Sequence, residues 1–225
     1  MKLSVIVPTL NEASGIQTFL EALAPLRLRG HQVIVADGGS SDATAAIAKP
    51  LTDIVLSAPK GRATQMNAGA AQAKNDVLLF LHADTFLPEA ADKMITDALI
   101  NGRKKWGRFD VNLNGGHKLL SLVAASMNLR SRLTGIATGD QAIFLTRELF
   151  HQAKGFPAIA LMEDIALSKI LKRDSAPACL RAKVISSGRR WERQGLWRTV
   201  FFMWRLRLAY FFGADPQQLA GKYEG

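Results

Sequence analysis

The early part of the chain is punctuated by four short apolar runs: Leu3 to Val7 (LSVIV), Val33 to Ala36 (VIVA), Ile54 to Ser57 (IVLS) and Val77 to Leu81 (VLLFL). Each is nearly continuous in Val, Ile and Leu rather than alternating with polar residues, the pattern of strands covered on both faces. Residues 14–24, 42–48, 63–73 and 88–99, which separate and follow them, have helical character. Strands alternating with helices imply right-handed crossovers and an α/β fold, a doubly wound, mostly parallel sheet flanked by helices. Ligands bind such sheets beyond the carboxyl ends of the strands. Four polar places fall there: Asn11 and Glu12, Asp37 to Asp42, Lys60 to Arg62, and His82 to Asp84.

After about residue 105 the alternation loosens. WGRFDVNLN (106–114) reads as an exposed strand, KLLSLVAASMNLRSRL (118–133) as a helix and QAIFLT (141–146) as another strand. A helix over 163–172, a short strand near 182–185 and a long aromatic-rich helix follow. With no internal repeat and no low-complexity linker, residues 1–192 are expected to form one domain. The change of pattern divides it into 1–105 and 106–192, with 193–225 a C-terminal helical appendage. The segment LWRTVFFMWRLRLAYFFG carries Arg198, Arg205 and Arg207, so it is a poor membrane span. Its stripe of Trp197, Phe201, Trp204, Leu208 and Phe211 suits packing on the core or a homodimer contact. A peripheral place on an anionic bilayer is the alternative.

Composition narrows the picture modestly. The chain has 225 residues, 48% of them hydrophobic, and a formal net charge of +10. That is enough apolar material for a core, and the charge favours anionic partners without choosing among them. Cys179 is the only cysteine, which excludes an intrachain disulfide and a cysteine-rich metal site. The opening MKLSVIVPTLNE is too short for a signal-peptide core, so a cytoplasmic protein, peripheral at most on the inner face of the membrane, is the expectation.

Strand one is followed by PTLNE rather than GxGxxG, which disfavours a nicotinamide dehydrogenase. Asp37, ahead of GGSSDAT, could accept a hydrogen bond from a ribose hydroxyl or a base N–H, but turn and cap chemistry alone accounts for these residues too. Lys60 and Arg62 precede a helix, where cations and the helix terminus can hold a diphosphate; two solvated charges at a glycine turn are the plainer explanation. His82 and Asp84 suit Mn²⁺ or another divalent ion, and a carboxylate alone suits Mg²⁺, while a helix-capping Asp beside a partly buried His fits equally. Glu163 and Asp164 could simply be two acids favoured in a helix's first turn.

LSVIVPTLNE, VIVADGGSSDAT, KGRATQMNAG, LLFLHADT, GDQAIFL, MEDIALSKIL and RRW, in that order and spacing, resemble an inverting family 2 glycosyltransferase of the GT-A fold over roughly residues 1–192. More narrowly, the chain is similar to a small bacterial branch labelled arsenosugar-biosynthesis glycosyltransferases. The resemblance implies that Thr9, Asn11, Glu12 and Asp37 line the nucleotide pocket and that Lys60 and Arg62 sit by the nucleotide. Asp84 becomes the metal-binding end of an Asp-x-Asp motif in which His82 replaces the more frequent Asp, with Mn²⁺ or Mg²⁺ as the cofactor. Asp140, Gln141 and Glu163 fall on the acceptor side, and Asp164 matches the catalytic base. Arg190 and Trp191 match the end of the Gln-x-x-Arg-Trp motif of processive synthases, but Ser187 stands where Gln belongs. A non-processive enzyme is expected, with Arg189 or Arg190 on the diphosphate and Trp191 under a sugar ring.

The function expected is therefore metal-assisted transfer of a sugar from a nucleotide-diphosphate sugar to the hydroxyl of a small molecule or lipid, with no nucleic-acid partner. A nucleotidyltransferase, which would release pyrophosphate, and a basic module that binds nucleic acid or membrane without turnover are the alternatives.

Overall fold

The computed structural model describes residues 1–117, 119–189 and 195–224. An eight-stranded sheet forms the centre, in the order β3-β2-β1-β4-β7-β6-β8-β5. Strands β1 (Leu3–Thr9), β2 (Gln32–Asp37), β3 (Ile54–Ser57) and β4 (Val77–Phe80) are parallel. Their residues alternate between two cores. Val5, Val35 and Leu79 face a layer holding α1 (Ile16–Leu28), α2 (Thr44–Ala48), α4 (Ala91–Ile100) and α5 (Leu120–Thr134). Ile6, Ile34 and Leu78 face α3 (Arg62–Ala71), α6 (Arg147–Gln152) and α7 (Glu163–Asp174). Coverage on both faces is why the strands read as unbroken apolar runs. The approach of α3 is close: a Cβ on Gly69 would lie 2.5 Å from Ile6 Cγ2.

Beyond β4 the sheet continues through β7 (Ile143–Thr146, antiparallel), β6 (Trp106–Asn114) and β8 (Ala178–Ser187), and ends at β5 (Thr85–Phe86). In a flat sheet β4 and β5 would stand four strand spacings apart, about 19 Å. The five residue steps from Phe80 to Thr85 reach about 17 Å fully extended, and they also contain a turn in which Thr85 N donates to His82 O at 3.0 Å. The sheet must therefore curl, and the curl brings His82 to Asp84 across from the second half of the chain.

Three expectations are corrected. Residues 106–114 are not an exposed strand: β6 lies between β7 and β8, with Trp106, Arg108 and Phe109 fully buried. Its polar residues Arg108 and Asp110 face a polar interior rather than water. The Arg108 guanidinium pairs with Asp110 and donates to Ser131 Oγ (3.0 Å) and Asn128 O (3.2 Å), while Arg132 Nη2 reaches Asp110 at 2.6 Å. The strand expected near 182–185 is ten residues long and runs parallel to β6, with an irregularity between Phe109 and Asp110.

The third correction concerns the C-terminus, where α8 (Leu196–Phe211) is followed by an unanticipated α9 (Pro216–Glu224). Leu206 of α8 and Leu219 of α9 pack on Leu161, Met162 and Ile165. The aromatic stripe does not dock on the core. Trp197, Phe201, Trp204, Leu208 and Phe211 all point outward, and the opposite face of α8 makes the contact. None of the described helices is long and apolar enough to cross a membrane.

Candidate active site

A cavity of about 1010 Å³ opens at the carboxyl ends of β1 and β4. Parallel register sets Thr9 beside Asp37, and Thr9 Oγ1 donates to Asp37 Oδ1 at 3.3 Å. The Asp37 carboxylate also accepts from Gly39 N (3.1 Å), Ser40 N (2.9 Å) and Ser40 Oγ (2.5 Å). Asp37 thus organises its own turn behind Thr9, which is on the cavity wall. Asn11 likewise joins two loops, its Oδ1 accepting from Ser41 N at 2.9 Å, and it stands outside the wall.

Gln65 is a site residue that sequence reasoning missed. This buried side chain donates through Nε2 to Thr9 O and Ala36 O, both at 2.8 Å, so it ties the ends of β1 and β2 together where the ladder stops. Lys60, Gly61 and Arg62 line the cavity at the start of α3, and the left-handed φ of 140° at Gly61 turns the chain into that helix. Two cations and a ten-residue helix's positive end therefore face one wall.

Glu12, His82 and Asp84 line the same cavity. Burial, then the nearby Asp84 charge, pushes the Glu12 carboxyl up. The His82 imidazole lies against the loop before β7: its Nδ1 is 3.4 Å from Asp140 Oδ1, and a Cβ on Gly139 would come within 2.3 Å of its ring. Gly139 N in turn donates to Asp164 Oδ2 at 2.9 Å. A contiguous line of contact therefore runs from the end of β4 to the first turn of α7. Gln141, by contrast, is fully buried, its side chain accepting from Thr138 N (3.1 Å) and donating to Asn128 Oδ1 (3.3 Å). It shapes the loop and does not reach the cavity.

Glu163 is on the wall, and half-buried Asp164 follows it in the first turn, its Oδ1 accepting from Ile165 N at 2.7 Å. Burial first and Asp164 second raise Glu163 to about 7, against the pull of Arg62. Burial raises Asp164 too, while the N–H groups of Gly139 and Ile165 favour its ionised form. The acids titrate as a pair that keeps a proton into the neutral range.

A folded-state pKa above the ordinary 4.5 means that Glu163 binds its proton more tightly when folded, so its contribution to stability declines as pH rises from about 4.5 through 7. Glu163→Gln should therefore melt higher than the wild type at pH 8, by up to about 3 kcal/mol in stability, and differ little at pH 5. Melting curves at the two pH values check this.

Arg189 lines the cavity from the end of β8, its Nε donating to Ser187 Oγ at 3.0 Å. Arg190 and Trp191 lie outside the described residues. The C-terminal helices also contribute to the wall, through Thr199, Met203, Ala220 and Tyr223. The sequence offered a signal only for the first two, which share the face of α8 opposite the aromatic stripe.

Residues 4–146 match the model of the family described as Glycosyl transferase family 2. The chain is 33% identical over 108 residues to the succinoglycan biosynthesis protein ExoA of Rhizobium meliloti, covering 44% of this chain and 33% of that one. It spans a third to just over half the length of the curated relatives it matches. Among solved structures it is similar to S. aureus TarS 1-349 in complex with UDP-GlcNAc (TM-score 0.69, 20% identity, 83% of this chain, 58% of that one). It is also similar to glucosyl-3-phosphoglycerate synthase from Mycobacterium tuberculosis in complex with Mn²⁺, UDP and glucosyl-3-phosphoglycerate (TM-score 0.61, 20% identity, 86% of this chain, 75% of that one).

Proposed function

Because the chain belongs to glycosyl transferase family 2 and has the GT-A fold, we propose that it transfers a sugar from a nucleotide-diphosphate sugar to the hydroxyl of a small molecule or lipid, with inversion and without processivity. The observation that carries this reading is one cavity lined by the basic start of α3, Asp84 and Glu163, with Asp164 next to Glu163 at the start of α7. The narrower arsenosugar branch rests on the sequence resemblance alone.

In this reading the diphosphate lies against Lys60, Arg62 and the first N–H groups of α3, with Arg189 closing from β8. These donors stabilise charge as it develops on the leaving group. Thr9 and Glu12 bound the nucleotide end, with Asp37 and Asn11 acting through the turns they hold. Asp140 and Glu163 face the acceptor. Asp164 takes the proton from the acceptor hydroxyl as that oxygen attacks the anomeric carbon. Its two N–H donors hold the carboxylate in place, and burial keeps it basic.

Asp84 and Glu12 fit a hard divalent cation. Two carboxylates face a shared space, and their mutual repulsion is part of what raises Glu12. Oxygen donors of this kind suit Mg²⁺ or Mn²⁺. Among the described residues no group of three or more His, Cys, Asp or Glu side chains could hold a metal alone, so donor phosphate oxygens and water would complete the shell. The cation would neutralise the departing diphosphate. His82 is better employed as a brace, since its ring rests on Gly139 and Asp140 and so steadies the loop that holds Asp164.

A thermal-shift panel of UDP-, GDP- and dTDP-sugars with and without Mn²⁺ tests the donor site. At least one donor should raise the melting temperature with Mn²⁺ and less without it. Asp84→Ala should lose the metal-dependent part and keep a weaker response to donor alone. Stabilisation by no donor would contradict the reading.

A further inference from the structure

Helix α8 is apolar on both faces, and its own chain covers only one. Leu206 and Thr199 are buried, and Phe202, Met203, Ala209 and Tyr210 are partly buried against the rest of the molecule. On the other side Trp197, Phe201, Trp204, Leu208 and Phe211 recur at spacings of three and four and are 59 to 72% exposed, with Phe212 continuing the patch. A helix that is hydrophobic all round is ordinarily buried all round, and a contiguous exposed apolar patch marks an interaction site.

The charges beside the stripe indicate the partner. Arg198 and Arg205 are exposed, and at 100° per residue they fall along one flank of it. No acidic residue occurs from Gly195 to Ala214. From Ala176 to the C-terminus the sequence has nine basic and three acidic residues, more than half of the net +10. Trp and Phe over a line of arginines suit the boundary between acyl chains and anionic headgroups, where the rings are buried and the guanidinium groups stay with phosphate. A second copy is a poorer fit, because pairing two such faces would gather four arginines with no carboxylate from either helix to balance them.

We propose that the exposed face of α8 is a docking surface for an anionic lipid bilayer. The helix is about 24 Å long, long enough to lie in the headgroup plane. Its opposite face supplies Thr199 and Met203 to the cavity, so docking holds the cavity about one helix diameter, some 10 Å, from the membrane surface. The surface is independent of the transferase reading.

Co-sedimentation of the full chain with phosphatidylcholine vesicles, with and without phosphatidylglycerol, tests it in the absence of any nucleotide sugar. Binding to the phosphatidylglycerol vesicles should be strong, weak to phosphatidylcholine alone, and should fall as salt rises. Arg198→Gln with Arg205→Gln should weaken it by about thirtyfold, the factor for two cations at about 1 kcal/mol each. Phe201→Ser with Trp204→Ser should abolish it, with the melting temperature and donor response unchanged because both side chains are outside the core. Wild-type protein that ignores anionic vesicles, or variants that bind like the wild type, would overturn the proposal. So would a dimer in sedimentation equilibrium that the Phe201/Trp204 variant dissolves, without vesicle binding.

Discussion

Asp164→Asn should lower sugar transfer by roughly 10²- to 10⁴-fold, the range for losing a positioned general base, and leave donor affinity within a factor of a few. The amide keeps the size of the side chain, and its oxygen can still accept from Gly139 N or Ile165 N, so the first turn of α7 stays where it is. What disappears is the oxygen able to take a proton. The proposed donor contacts at Lys60, Arg62 and Asp84 are all retained, and only the charge that Arg62 feels from Asp164 is lost. Nucleoside diphosphate release, followed with water standing in when no acceptor is known, reads the rate, and thermal shift with donor reads the binding. A variant as fast as the wild type removes Asp164 from the base role and points to Glu163, the acid on the wall.

Asp110→Ala should destabilise the fold by about 3 to 5 kcal/mol, the usual cost of leaving a buried charge without its partner. For a domain of this size that is a fall in melting temperature of roughly 10 °C. Arg108 is fully buried, and Asp110 is the carboxylate that balances it, with Arg132 as a second partner of the same group. Removing both charges together, as Arg108→Met with Asp110→Leu, should cost less than Asp110→Ala alone, because no fully buried ion is left unpaired and Arg132, which also loses Asp110, is partly exposed to water. Equal losses in the single and double variants would show that packing, and not charge balance, sets the stability of β6.

The same network explains why the second half of the chain was harder to read than the first. Strands β1, β2 and β4 are covered on both faces, and runs such as VIVAD have no other good reading. β6 alternates because Arg108 and Asp110 turn toward α5, and sequence alone cannot distinguish a polar interior served by Ser131 and Asn128 from water. β5 is two residues long and exists only because β8 runs past it. The candidate site divides in the same way. Residues that end a strand or begin a helix, such as Glu12, Arg62, Asp84 and Glu163, were marked by an abrupt change from apolar to charged. Gln65, Ala220 and Tyr223 carry no local mark, since their place depends on which carbonyls and which helices tertiary packing brings near them. His82 was legible as a candidate, but its contact with Gly139 needed the curl of the sheet to be seen.

The most direct test of sugar transfer is to incubate the protein with the donor that stabilises it, in Mn²⁺ or Mg²⁺, and identify both products. Nucleoside diphosphate should accumulate only with metal, and ¹H NMR of the freshly released sugar should find its anomeric configuration inverted. Intact donors throughout the UDP-, GDP- and dTDP-sugar panel, or pyrophosphate released from a nucleoside triphosphate instead, would contradict it.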